Sequence, residues 1–233
     1  MSALSIPDLA PGSERRVLVP FALAVPFLAL VPPLGLLLLA VGAFSVYFYR
    51  DPEREPAGAG VLAPADGHVS VIRADGDRVR VGVFMSPFDV HVCRAPADGT
   101  VTRLDHRGAA HKPAFAKESE RNERVEYTVD PGAGDSGAAT DGVRVDADAA
   151  GSDADAATHE DRVDGALIAG WFARRITPYV SPGDALTRGE RIGYIAFGSR
   201  ADVVLPPAYD PEDVRVRVGE AVRAGESVIA RRD

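Results

Sequence analysis

Cysteine and lysine are nearly missing from this chain. A single cysteine, Cys93, rules out a disulfide framework and any zinc site built from several cysteines. Lys112 and Lys117 are the only lysines among 26 basic residues, and the formal net charge is −8. A net acidic chain is a poor candidate for nucleic-acid binding, because neutralising phosphates needs a basic stripe, and no nucleic-acid partner is expected. Charge is absent altogether from positions 17 to 49. That run excludes an ordinary soluble domain, and the polar remainder excludes a multi-span transporter. The acidic, lysine-poor balance suits a cytoplasm of high salt. With 233 residues the chain can bury one sizeable core or two small ones.

The residues that are present divide sharply. Residues 1–16 form a polar N-terminal segment that ends in Glu14-Arg15-Arg16, and residues 17–50 follow as a membrane anchor that closes at Arg50-Asp51-Pro52. As one helix the uncharged run would measure about 50 Å, against roughly 30 Å of hydrocarbon. Pro32-Pro33 and Gly35, near its midpoint, are expected to break it into a helical hairpin. Basic residues flank both ends, so the positive-inside rule places both, and the domain that follows, on the cytoplasmic side of the cell membrane. A re-entrant or shallow hairpin fits, and so does a pair of short spans. A cleaved signal peptide fits poorly, because the run is too long and lacks a small-residue cleavage site.

From Val61 onward short apolar alternations are cut by Gly, Pro and Asp, as in HVSVIRADGDRVRVGVFM, RVEYTV, RIGYIAFG and VRVRVGEAV. Period-two alternation between turn residues predicts β-strands, with ADGD as the tip of a hairpin. Residues 51–233 are therefore expected to be a mainly β domain. Residues 164–180 are expected to run from a strand into a short helix. Residues 130–164 hold almost no large apolar side chains beyond valines 143, 145 and 163, and cannot bury enough surface to offset their ordering entropy. They predict a solvated acidic insertion. An Asp-rich calcium site does not follow, since the closing glutamate spacing of an EF-hand is absent.

Four features carry chemistry. In Phe197-Gly198-Ser199-Arg200, placed after a strand-like run, Gly198 has no side chain to shield its carbonyl, and the Ser199 hydroxyl could attack it. The bland reading is a turn. Asp66 sits in Ala63-Pro64-Ala65-Asp66-Gly67-His68, where Asp-Gly is most simply a capped turn. In Ser86-Pro87-Phe88-Asp89-Val90-His91, strand alternation would put Asp89 and His91 on one face, a carboxylate orienting a histidine. Glu120-Arg121-Asn122-Glu123-Arg124 reads as a polar turn whose arginines could meet a phosphate.

Taken in order and behind this anchor, PADG, SPFDVHVCRAP, NERV and GERIGYIAFGSRADVVLP resemble the phosphatidylserine decarboxylase proenzymes, in their short membrane-anchored form. The resemblance runs from about Val17 to the end, apart from 130–164. It implies cleavage between Gly198 and Ser199, with Ser199 becoming a pyruvoyl prosthetic group and the two fragments staying together as a heterodimer. It implies a β-rich domain with barrel-sandwich-hybrid (lipoyl-like) character. It assigns Asp66 to self-cleavage and His91, with Asp89 two residues before it, to decarboxylation, His91 serving as a general acid of near-neutral pKa. The substrate amine would condense with the pyruvoyl ketone as a Schiff base, and no metal is required. The implied partner is an anionic phospholipid with a serine headgroup, phosphatidylserine or archaetidylserine. One departure stands out: the position of the long-form triad histidine is Arg94 here, so either His91 serves both steps, the favoured reading, or His68, His106 or His111 substitutes, or processing needs less base assistance. Arg94, Arg124 or Arg174 could hold the lipid phosphate.

Two rivals compete with this reading. APADGTV and VRVGEAVRAGESVIA also resemble biotinyl/lipoyl-like hairpins, which suggests a non-enzymatic membrane-anchored adaptor, although no lysine sits where a carrier needs one. A serine hydrolase would need the strand-turn-helix setting of a G-x-S-x-G elbow, which Phe-Gly-Ser-Arg lacks.

Overall fold

The computed structural model describes residues 8–107, 123–132, 161–170, 176–196 and 199–232. It opens with two helices, α1 (Glu14–Leu30) and α2 (Pro32–Phe48). The break falls at Val31, and Pro32 and Pro33 open α2, where a missing N–H costs nothing. Gly35 is no breaker. It lies inside α2, where an added Cβ would sit 2.5 Å from the Leu28 backbone nitrogen, so it lets the helices meet closely. The first turn of α1 also takes Glu14, Arg15 and Arg16, which the sequence assigns to the polar segment. Each helix has 17 residues, about 26 Å at 1.5 Å per residue. Among the described residues no helix is long and apolar enough to cross a membrane.

The rest is mainly β. Strands β1 (Val61–Leu62), β2 (Gly67–Asp75), β3 (Arg78–Met85), β4 (Val92–Arg94), β5 (Gly99–Arg107), β6 (Arg124–Asp130), β7 (Val163–Ala169), β8 (Ile176–Pro178), β9 (Ala185–Leu186), β10 (Arg191–Ile195), β11 (Ser199–Val204), β12 (Ala221–Val222) and β13 (Val228–Ala230) form three sheets. The largest is ordered β12-β2-β3-β11-β7-β6-β5-β9, beside β4-β10-β8 and β1-β13. The ADGD turn joins β2 to β3 as expected, with Gly76 at φ +67°. The strand expected early in residues 164–180 is Val163–Ala169, and among the described residues the end of that segment, Ile176–Pro178, is a strand on β10 rather than a helix; residues 171–175 lie outside the described set.

Alternation explains the main layer. Val79, Val81, Val83 and Met85 of β3 enter the core with Ala201 and Val203 of β11 and Leu167 and Ala169 of β7. The intervening positions, Arg78, Arg80, Asp164, Arg200 and Asp202, line the opposite face of the same strands.

One buried ion pair fixes the start of the β domain to the helices. Arg94 donates to Asp51 at 2.7 Å and to the carbonyls of Pro52 and Gly189 at 2.9 Å, and Arg191 also pairs with Asp51. The Asp51 side chain is 1% exposed, so removing its buried partner leaves a charge that water cannot reach. Arg94→Ala is expected to lose about 3 kcal/mol in denaturant unfolding. A loss below about 1 kcal/mol would show that Arg191 alone satisfies Asp51.

Candidate functional site

The chain changes sheets just before Ser199. Strand β10 belongs to the three-stranded sheet and β11 to the eight-stranded one, with residues 196–198 between them. Ser199 starts β11 and pairs on one side with Met85 and on the other with Ala169. Its side chain shares the core face with Ala201 and Val203. It is fully buried, and its hydroxyl lies 3.6 Å from the Met85 sulfur. Gly198 lies outside the described residues.

His91 reaches the same corner from β4. Its backbone carbonyl accepts a hydrogen bond from the Ile195 N–H at 3.2 Å, next to the crossover. The imidazole is 2% exposed. Its Nδ1 lies 2.9 Å from the Asp89 carbonyl, which can only accept, so Nδ1 carries the proton and Nε2 presents a bare lone pair. Nε2 is buried and has no hydrogen-bond partner among the described residues. Burial pushes the His91 pKa down to about 4, against the smaller opposing pull of Asp89. This corrects the expected near-neutral pKa for the uncleaved chain, in which His91 is a neutral imidazole at pH 7.

Asp89 is also corrected. Residues 86–91 form a turn ahead of β4 rather than a strand with Asp89 and His91 on one face. The Asp89 carboxylate accepts the Ser86 N–H at 2.7 Å and closes the turn. Its backbone carbonyl, not its carboxylate, orients His91.

Asp66 approaches from β2. Gly67 beside it has φ +133°, and a Cβ there would lie 2.1 Å from the Phe84 carbonyl oxygen, so only glycine brings Asp66 alongside the end of β3. The Asp66 carboxylate takes Arg54 at 2.8 and 3.0 Å and the Ala224 N–H at 2.8 Å. Among the described residues no histidine reaches it. Burial raises its pKa even though Arg54 pulls the other way. Arg54 and Phe48, which packs on His91, escaped the sequence reading; the only signal was the abrupt return of charge in YFYRDPER.

Of the remaining candidates, those among the described residues are engaged elsewhere. Arg94 is committed to Asp51 and cannot also hold a phosphate. Arg124 lines a cavity of about 500 Å³ on the sheet face opposite the Ser199 hydroxyl, where Asp202 pairs with Arg80 and Arg200. Residue Arg174 and His111 lie outside the described set. His68 is exposed on β2, and His106 is half-exposed and bonded to Glu123 at 2.9 Å. His91 is thus the histidine that the described structure brings to the crossover.

Comparison with known proteins gives the family. The model of the phosphatidylserine decarboxylase family matches residues 41–140 and 157–230. A Halobacterium salinarum protein named "Putative archaetidylserine decarboxylase proenzyme" is 49% identical over 227 residues, covering 95% of this chain and 97% of its own. A phosphatidylserine decarboxylase proenzyme of Thermobifida fusca is 42% identical over 232 residues, covering 99% of this chain and 88% of its own. No solved structure matches the chain. On these matches, this chain belongs to the phosphatidylserine decarboxylase family.

Proposed function

We propose that this chain is a self-cleaving, pyruvoyl-dependent decarboxylase that removes the carboxyl group from a phospholipid serine headgroup, leaving the ethanolamine lipid. The observation that carries the reading is Ser199, a buried hydroxyl on the first residue of a central strand, directly after a crossing between sheets.

Processing draws on the chain's own groups. His91 Nε2 takes the proton of the Ser199 hydroxyl, whose oxygen attacks the Gly198 carbonyl carbon. The C–N bond breaks, the Ser199 nitrogen picks up a proton, and the amide has become an ester. Loss of the Ser199 α-proton then expels the ester oxygen with Gly198 as a carboxylate. The enamine left at position 199 takes up water and releases ammonia, which leaves a ketone. Asp66, held above the usual carboxylate range by burial, is the second candidate base.

Position 199 suits the group. It pairs with Met85 and Ala169 and its hydroxyl lies 3.6 Å from the Met85 sulfur, while the loop carrying the buried, unpartnered His91 Nε2 is tied to Ile195, just before the crossover. The pyruvoyl ketone supplies an electron sink, as pyridoxal phosphate does in other decarboxylases. His91 then serves the second step by carrying a proton at Nε2 beside the substrate.

The fragments have reason to stay together. Of the strands after the cut, β11 lies between β3 and β7, β12 pairs with β2 and β13 with β1, all upstream of residue 198. The same short pairings of β1, β12 and β13 support a barrel-sandwich-hybrid character. Along the helices Leu18 (63% exposed), Val25 (71%), Leu30 (76%) and Leu36 (61%) face outward, and Phe88 is 67% exposed at the tip of the 86–91 turn. An apolar surface of that extent suits a lipid interface. We read it as a shallow hairpin in the cell membrane with the β domain on the cytoplasmic face.

The test uses protein reconstituted in vesicles containing serine lipid labelled at the carboxyl carbon, with diacyl or dialkyl-ether tails. Labelled CO₂ is expected from serine headgroups, whereas an intact chain that releases none would favour the adaptor reading. The family match skips residues 141–156. Deleting them is expected to leave turnover within about twofold, and abolished turnover would contradict a solvated insertion.

A further inference from the structure

The last turn of α2 grips the loop that carries His91. Phe48 is fully buried, and its ring centroid lies 4.2 Å from that of His91, with the planes 33° apart. The Tyr47 hydroxyl and the Arg50 guanidinium both donate to the Phe88 carbonyl, at 2.9 and 2.8 Å, and Arg50 stacks over the Tyr47 ring at 3.9 Å. One residue from Phe48, Tyr49 meets Tyr194 of β10 edge-on at 6.0 Å. The hydrophobic hairpin is thus packed into the β domain at the crossover.

We propose that Phe48 is a positioning residue for His91: it roofs the imidazole, fixes its plane and keeps water from Nε2, so the hairpin forms one wall of the reaction site. This inference rests on the assignment of His91 as the base. An imidazole with one nitrogen tied to a carbonyl can still tilt about that bond, and a ring packed on its face removes the freedom. Excluding water also disfavours the protonated ring, which keeps Nε2 available as an acceptor. The charged groups that act on His91 are few. Asp89 favours protonation and Arg50, from the end of α2, opposes it. Burial outweighs both, and the Phe48 ring, 4.2 Å away centroid to centroid, contributes to it.

The test is a titration of the full-length Ser199→Ala chain in detergent micelles, with isotope-labelled histidine followed by NMR. His91 is assigned by the signal lost in His91→Asn. With Phe48 in place, His91 is expected to titrate near pH 4. Phe48→Leu should raise its midpoint and Phe48→Ala should raise it further, by at least about one unit, a tenfold gain in proton affinity. In chains that keep Ser199, the acid limb of self-cleavage should move up in the same order. A folded Phe48→Leu chain with an unmoved His91 midpoint, or a cleavage rate reduced equally at every pH, would overturn the inference. Should Phe48→Ala not fold, Phe48→Leu decides. Failure of the underlying reading looks different: His91→Asn would then cleave at the wild-type rate whatever the titrations show.

Discussion

Ser199→Ala is expected to accumulate as one uncut chain that releases no CO₂ from serine lipid. The loss should be complete, because alanine has neither the oxygen that attacks Gly198 nor a leaving group from which a ketone can form. Folding should be unaffected. The Ser199 hydroxyl touches the Met85 sulfur at 3.6 Å, its side chain is fully buried, and the backbone pairings of β11 with Met85 and Ala169 do not involve it. Removing a buried hydroxyl that makes one weak contact among the described residues changes stability by about 1 kcal/mol or less. Size after denaturing electrophoresis, CO₂ release and the thermal midpoint separate these effects. Cutting of the variant next to residue 199 would contradict the assignment.

His91→Asn is expected to slow self-cleavage by about 10²- to 10⁴-fold, the usual contribution of a positioned acid or base, and to reduce CO₂ release by a similar factor. The pH dependence makes the prediction sharper. With its pKa pushed down to about 4, His91 remains a neutral base far below the point at which an exposed histidine would be protonated. Wild-type cleavage should therefore persist as pH falls from 7 to 5 and fail only near 4. Between the ordinary value of 6.5 and about 4 the unfolded chain binds the proton and the native chain does not. Native stability should thus fall with pH across that window, by on the order of 3 kcal/mol at full extent. His91→Asn should flatten that part of the profile. A cleavage rate that halves near pH 6.5 would mean that His91 is solvated.

Local pattern made much of the β domain legible. The alternation in RVRVGVFM places Val79, Val81, Val83 and Met85 in the core and Arg78 and Arg80 on the charged face, since a strand turns alternate residues to opposite sides. Pro32-Pro33 marked the break in the uncharged run to within two residues, because proline fits the start of a helix and not its middle. The misreadings came where that pattern was carried too far. Extending strand alternation through residues 86–91 placed the Asp89 carboxylate beside His91, whereas Pro87 and the Asp89 cap bend this segment into a turn. Treating the hydrophobic run as an anchor alone hid Phe48, which packs on a ring far along the chain. The Arg54–Asp66 and Arg94–Asp51 pairs were hidden for the same reason, since tertiary pairing leaves no periodic trace. The depressed pKa of His91 follows from that packing and was equally out of reach.

The most direct measurement is the intact mass of fully active wild-type protein under denaturing conditions. The account predicts two species in place of one chain of 24.6 kDa. The larger should end at Gly198 with an ordinary carboxylate, and the smaller should begin at position 199 with a ketone and no N-terminal amine. Active material that shows only the full-length mass, with serine 199 still amide-linked, would contradict it.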